Sequence, residues 1–130
     1  TFLSFKDSFE RDPLTTLKRF CYLVTQGRSN AKQDWQKLQS SVNNEELALK
    51  SSGLDMLERF NTVDIIQHYP GNQFHVFAEG DGLVSYKIVD NFRKLGAKFL
   101  KIDSINGSHG FPVFQSDSLS DKITQYLKRL

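Results

Sequence analysis

Residues 74–84 read Phe-His-Val-Phe-Ala-Glu-Gly-Asp-Gly-Leu-Val, and this stretch decides the fold. Phe74 to Ala78 is a short run rich in strand formers. It follows the turn cluster Tyr69-Pro70-Gly71-Asn72 and is bounded by Gly80, the pattern of a buried strand. Asp81-Gly82 offers a hairpin turn, yet Val84, Ile88, Phe92 and Leu95 fall at steps of four, four and three, which favours a helix closed by Gly96. Lys98 to Ile102 then reads as a second strand. Ser118 opens a final helix that turns Leu119, Ile123, Leu127 and Leu130 inward, with Asp121 at capping-box spacing. Strand, helix, strand, helix implies two parallel strands joined by a crossover helix, an α/β arrangement. Parallel strands are normally covered on both faces, so the pair is expected to form the edge of a larger sheet whose other strands lie outside this sequence. A chain that begins with Thr1 rather than Met agrees with that expectation. An exposed parallel strand also invites self-association, so a homodimer through the sheet edge is expected.

Upstream, the apolar residues recur at helical steps. Asp12-Pro13 is a start signal, because Asp accepts from the free amides of a first turn and Pro at the first helical position loses no needed donor. Leu14, Leu17, Phe20, Cys21 and Val24 give one apolar face, and Gln26-Gly27 ends the helix. A second helix is predicted from about Asn30 to Val42, with Ala31, Trp35, Leu38 and Val42 on one side. Between Glu45 and Ile66 a third and a fourth are predicted, interrupted near Ser51-Ser52-Gly53. The chain thus divides into a helical region, 1–69, and a strand-helix-strand-helix region, 70–130.

Composition narrows the function. The chain has 130 residues, 38% hydrophobic and 25% charged, with 11 Phe, which is a globular composition long enough for one core. Lys plus Arg (17) exceed Asp plus Glu (15) for a net charge of +2, too little for a nucleic-acid footprint, and no binding motif is present. The single Cys21 cannot form an internal disulfide, and no Cys/His spacing suits a metal, so a reducing, cytoplasmic setting and no metal are expected. No apolar run approaches the ~18–20 residues that cross a bilayer, so no membrane role is expected.

In open α/β sheets, reactive groups gather where the carboxyl ends of strands run into loops. Both such loops carry a titratable residue: Asp81 after the first strand, and His109 in Asn106-Gly107-Ser108-His109-Gly110-Phe111-Pro112 after the second. An acid followed 28 residues on by a histidine suits an Asp-His pair. In such a pair the carboxylate fixes the ring tautomer and steadies the imidazolium, while the ring acts as general base and then general acid. Glu79 is a rival acid one step earlier. His68 and His75 sit at a helix end and in a strand, and are left out of the pair.

These loops resemble those of the α/β-hydrolases: Phe77 to Val84 looks like the acid loop, and Ser108-His109-Gly110-Phe111-Pro112 like the histidine loop. The resemblance narrows further through Leu17-Lys18-Arg19-Phe20 to Gln26-Gly27, Ala31-Lys32-Gln33-Asp34, Gly53-Leu54-Asp55-Met56-Leu57 and Val63-Asp64. Together with Asp81-Gly82-Leu83-Val84 they are similar to the helical lid and C-terminal part of the pimeloyl-acyl-carrier-protein methyl ester carboxylesterases of biotin synthesis. What this implies is a lid over 1–69 followed by the last two parallel strands and their helices, about the second half of such an enzyme. Asp81 and His109 would be two members of a Ser-Asp-His triad. No Gly-x-Ser-x-Gly elbow occurs in this sequence, so its serine would lie elsewhere and this piece alone would be inactive. The resemblance also places Arg19 and Lys32 on basic positions that dock the acyl carrier protein, with Thr15 and Gln36 replacing arginines. It places Phe5 and Phe20 on aromatic positions lining the acyl channel, and implies no cofactor. Alternatives of the same chemistry are another esterase or an acyltransferase. One of a different class is a non-catalytic helical module binding an acidic carrier protein.

Overall fold

The computed structural model describes residues 2–41 and 47–130. Its elements, in order, are α1 (Phe2–Arg11), α2 (Pro13–Thr25), α3 (Ala31–Ser40), α4 (Leu47–Arg59), α5 (Val63–His68), β1 (Gln73–Ala78), α6 (Ile88–Lys94), β2 (Leu100–Ile105), α7 (Phe111–Phe114) and α8 (Ser116–Leu127). The two strands pair in parallel, from Gln73 opposite Leu100 to Ala78 opposite Ile105, with α6 in the crossover. The chain is therefore α/β.

The strand alternation sorts the helices. His75 and Phe77 point to one face, where both rings meet Phe92 of α6 at 5.1 and 5.0 Å. Phe74 points to the other and stacks on Tyr126 of α8, with ring centroids 4.5 Å apart and planes 9° from parallel. The buried apolar side chains Ala78, Val89 and Ile105 lie in this strand-helix region, while Phe9 and Cys21 are buried in the helical part.

The helical region is tied together by chemistry at its ends and centre. Asp12 caps α2 by accepting from the Thr15 amide at 3.2 Å, and Pro13 occupies the first turn. Phe5 of α1 packs against Phe20 of α2 with centroids 5.4 Å apart, and Lys6 bridges to Asp55 and Glu58 of α4. These two carboxylates, Asp55 first, hold the Lys6 ammonium well above the usual lysine range.

Several expectations are corrected. Residues 2–11 form a helix that the sequence reading passes over, although Phe2, Phe5 and Phe9 recur at steps of three and four. The break expected near Ser51-Ser52-Gly53 does not occur: α4 runs through it, so the cost of a mid-helix glycine, about 1 kcal/mol, is absorbed. The crossover helix starts at Ile88 rather than Val84: residues 81–87 form an irregular turn instead, within which the Asp81 carboxylate accepts from the Leu83 and Val84 amides. The second strand runs to Ile105, three residues beyond Ile102, and α8 begins at Ser116, which places Ser118 inside the helix and leaves the capping box unformed. The apolar face expected to turn inward on α8 is instead exposed at Ile123, Leu127 and Leu130, since a sheet of two strands offers α8 little to pack on beyond Phe74. Val42 and Glu45, expected near helix ends, lie outside the described residues. No helix among the described residues is long and apolar enough to cross a membrane.

Candidate functional site

The parallel ladder continues past the strand ends and delivers both loops to one place. Beyond the Ala78–Ile105 pair, the Glu79 amide donates to the Ile105 carbonyl at 2.9 Å and the Gly80 amide to the Gly107 carbonyl at 3.0 Å. The next residue on one side is Asp81; two residues on along the other is His109. Asp81 Oδ2 accepts from His109 Nδ1 at 2.8 Å. Its second oxygen, Oδ1, accepts from the Leu83 and Val84 amides, each at 2.8 Å. With three bonds in place the carboxylate cannot rotate away from the ring without losing main-chain partners.

This arrangement dictates the histidine's tautomer. An ionised carboxylate only accepts, so the neutral ring carries its proton on Nδ1 and presents a lone pair at Nε2. Exposure follows the same asymmetry: the Asp81 side chain is 10% exposed and the His109 side chain 41%. The acid is shielded, and the ring is partly open to solvent. Beside Asp81 lies an open depression of about 510 Å³, lined by Glu79, Leu83, Tyr86 and Asp90 among others. Glu79 does not compete for the ring, because its Oε1 accepts from the Ser104 hydroxyl at 2.6 Å.

The turn after α2 grips both loops. Gly27 has φ 99°, a region in which residues with a Cβ are strained, and a Cβ there would collide with the Gly80 carbonyl. Gly80 is held equally close: a Cβ on it would stand 2.8 Å from the Gly27 oxygen and 2.9 Å from the Gly107 oxygen. On the histidine side, the Gly110 amide donates to the Val24 carbonyl at 3.0 Å. Gln115 adds a side-chain bond from Nε2 to the Asn106 carbonyl at 3.1 Å. Val24 and Gln115 carry no motif that a sequence reading could seize. Gly27 does carry a signal, but it reads only as a helix terminator; its close approach to Gly80 is a tertiary fact.

The remaining candidates fall elsewhere. Arg19 and Lys32 share one face of the α2–α3 pair. Arg19, with Lys18 and Thr15, lines an apolar groove of about 700 Å³ floored by Tyr22, Leu23 and Trp35. Lys32 lines an adjoining apolar hollow that shares Tyr22 and Trp35. Gln36, expected beside them, lines neither. Phe5 and Phe20 pack on each other between α1 and α2, with Phe5 also 6.4 Å from Phe9, and neither lines the depression at Asp81. Among the described residues no group of three His, Cys, Asp or Glu side chains could hold a metal ion.

No protein-family model matches this chain, and no curated protein matches it at a significant level.

Proposed function

We propose that this chain is the helical lid and C-terminal part of an α/β-hydrolase, a serine carboxylesterase that hydrolyses pimeloyl-acyl-carrier-protein methyl ester in biotin synthesis. The observation that carries the reading is the Asp81–His109 hydrogen bond, made through Nδ1 of the ring by loops at the carboxyl ends of two parallel strands. In this reaction Nε2 takes the proton of a serine hydroxyl supplied by polypeptide outside these 130 residues, as the oxygen attacks the ester carbonyl. The same proton passes to the departing methoxide to give methanol. His109 then takes a proton from water, which cleaves the acyl-serine and regenerates the hydroxyl. Asp81 touches no substrate; it keeps the ring in the tautomer this cycle needs.

The α2–α3 face supports the carrier-protein part of the reading. Lys18, Arg19 and Lys32 border an apolar floor of Tyr22, Leu23 and Trp35, a pattern that receives an acidic partner with an apolar ridge. The same face favours a second reading, a non-catalytic module that docks an acidic carrier protein.

In the full-length protein, His109→Ala should abolish ester cleavage and leave carrier binding intact; activity retained in that variant removes His109 from the mechanism. Arg19→Glu with Lys32→Glu should raise KM for carrier-linked ester about tenfold, spare a small free ester, and lose its effect in high salt. Equal loss on both substrates would refute docking at this face.

A further inference from the structure

The histidine loop is held from the α2–α3 turn by a second device, farther from the ring than Gly110. Arg28, directly after Gly27, folds back so that its side chain is 18% exposed. Its Nη1 donates to the carbonyl of Phe114 at 3.3 Å. Phe114 ends α7, the short helix that begins two residues after His109. The same Nη1 lies 3.4 Å from Oδ2 of Asp34, whose side chain is 7% exposed in the first turn of α3. One guanidinium thus spans the α2–α3 pair and the far end of the histidine loop, and it compensates a buried carboxylate oxygen that has no hydrogen-bond partner of its own.

We propose that Arg28 is a positioning residue for His109, with Asp34 as its counter-charge. The loop from Ser108 to Phe114 is pinned at both ends of a short span. At the near end the Gly110 amide bonds to the Val24 carbonyl, and at the far end the Phe114 carbonyl bonds to Arg28. Between these pins the Phe114 ring covers Gly110, where a Cβ would stand 2.6 Å from it, so the far pin presses the near one into place. Arg28 touches neither the ring of His109 nor Asp81. It acts by fixing the main chain from which the ring projects. Removing it frees the Phe114 carbonyl and strands the Asp34 charge, and breaking one side of a buried pair costs far more than replacing both.

The significance for catalysis rests on the hydrolase reading, but the test needs no ester. In the isotopically labelled full-length protein, amide exchange at Gly110 is compared with exchange at Glu79, whose amide bonds to Ile105 in the strand ladder, and the His109 ring tautomer is read from its nitrogen shifts. Arg28→Ala should speed Gly110 exchange at least about tenfold relative to Glu79 and convert the single Nδ1–H tautomer of His109 to a mixture. Arg28→Lys, which keeps a cation and a donor at the same place, should restore most of the protection. The double variant Arg28→Met with Asp34→Leu removes both charges and so guards against simple misfolding from a stranded carboxylate. It should fold and still show the loosened loop. Unchanged Gly110 exchange and an unchanged tautomer in the double variant would overturn the proposal. So would equal acceleration at Glu79 and Gly110, which would mean a general loss of stability. Either failure leaves the hydrolase reading standing on His109→Ala, and retained esterase activity in His109→Ala leaves the clamp untouched.

Discussion

Replacing Gly27 with alanine tests whether main-chain contact, rather than side-chain packing, seats the acid loop. Two costs add at this position. A left-handed backbone costs a residue with a Cβ about 1–2 kcal/mol. Forcing a methyl against the rigid Gly80 carbonyl adds an overpacking cost of about 1–3 kcal/mol. The loss of unfolded-state freedom returns about 0.4–1 kcal/mol, so the net destabilisation is about 1–4.6 kcal/mol. Gly96 supplies an internal control: its φ is 66°, but a Cβ there meets nothing within 4 Å. Gly96→Ala therefore carries the backbone cost alone, and its net effect should be about 0–1.6 kcal/mol. At about 2.1 cal/mol/K of unfolding entropy per residue, 3 kcal/mol in a chain of this length lowers Tm by about 10 °C. Urea titration at constant m separates the two variants by their midpoints. Gly27→Ala no less stable than Gly96→Ala would refute the close approach of the α2–α3 turn to the acid loop. Because Gly80 precedes Asp81, Gly27→Ala should also lengthen the Asp81–His109 bond, visible as a mixed His109 tautomer, whereas Gly96→Ala should leave it unchanged.

Burial between Phe77 and Phe92 lowers the pKa of His75 below its ordinary 6.5, so the fold favours the neutral ring. The unfolded chain then binds the extra proton first, and this contribution to stability, full above pH 6.5, declines as pH falls through the folded-state value. His75→Phe, which keeps an aromatic ring against Phe92, should flatten the pH dependence of the urea midpoint below 6.5; an unchanged slope would refute the assignment. The near-parallel stack of Phe74 on Tyr126 should give a coupling of about 0.5–1.5 kcal/mol in a double-alanine cycle, and a coupling near zero would mean that α8 is not anchored there. Asp103 is held below its ordinary 3.8 chiefly by the hydrogen bond from Lys122, with Nζ 2.9 Å from Oδ2. That contribution is present above pH 3.8 and fades in more acid solution. Lys122→Met should bring the Asp103 titration, followed by carboxyl carbon shifts, back toward 3.8; an unmoved titration would rule out the bond.

The features legible in the sequence were those encoded locally. The Asp12-Pro13 start of α2 needs only one side chain and the missing proline donor, and the structure shows that cap. The order of strand, crossover helix and strand follows from turn residues and periodicity, as does the placement of Asp81 and His109 past strand ends. Boundaries set by loop geometry were not legible. The turn in which Asp81 accepts from the Leu83 and Val84 amides occupies the residues before Ile88, so the helix starts a full turn later than its apolar period suggests. The period of Ile123, Leu127 and Leu130 marks an apolar face but cannot say what covers it. Least visible of all was the seating of the loops on the α2–α3 turn, since Val24 and Gly110 meet through peptide groups common to any residue.

That seating separates placement from chemistry in a way useful to anyone altering the molecule. The carbonyl of Val24 is supplied by any residue at that position, so replacements no larger than valine should keep its bond to the Gly110 amide, whereas a larger side chain would press on Gly110, against which the Val24 side chain already lies. Gly27 and Gly80 offer no such latitude, because there the joint consists of side chains that are absent. Adding atoms at either one acts as a wedge, prising the acid loop from its seat.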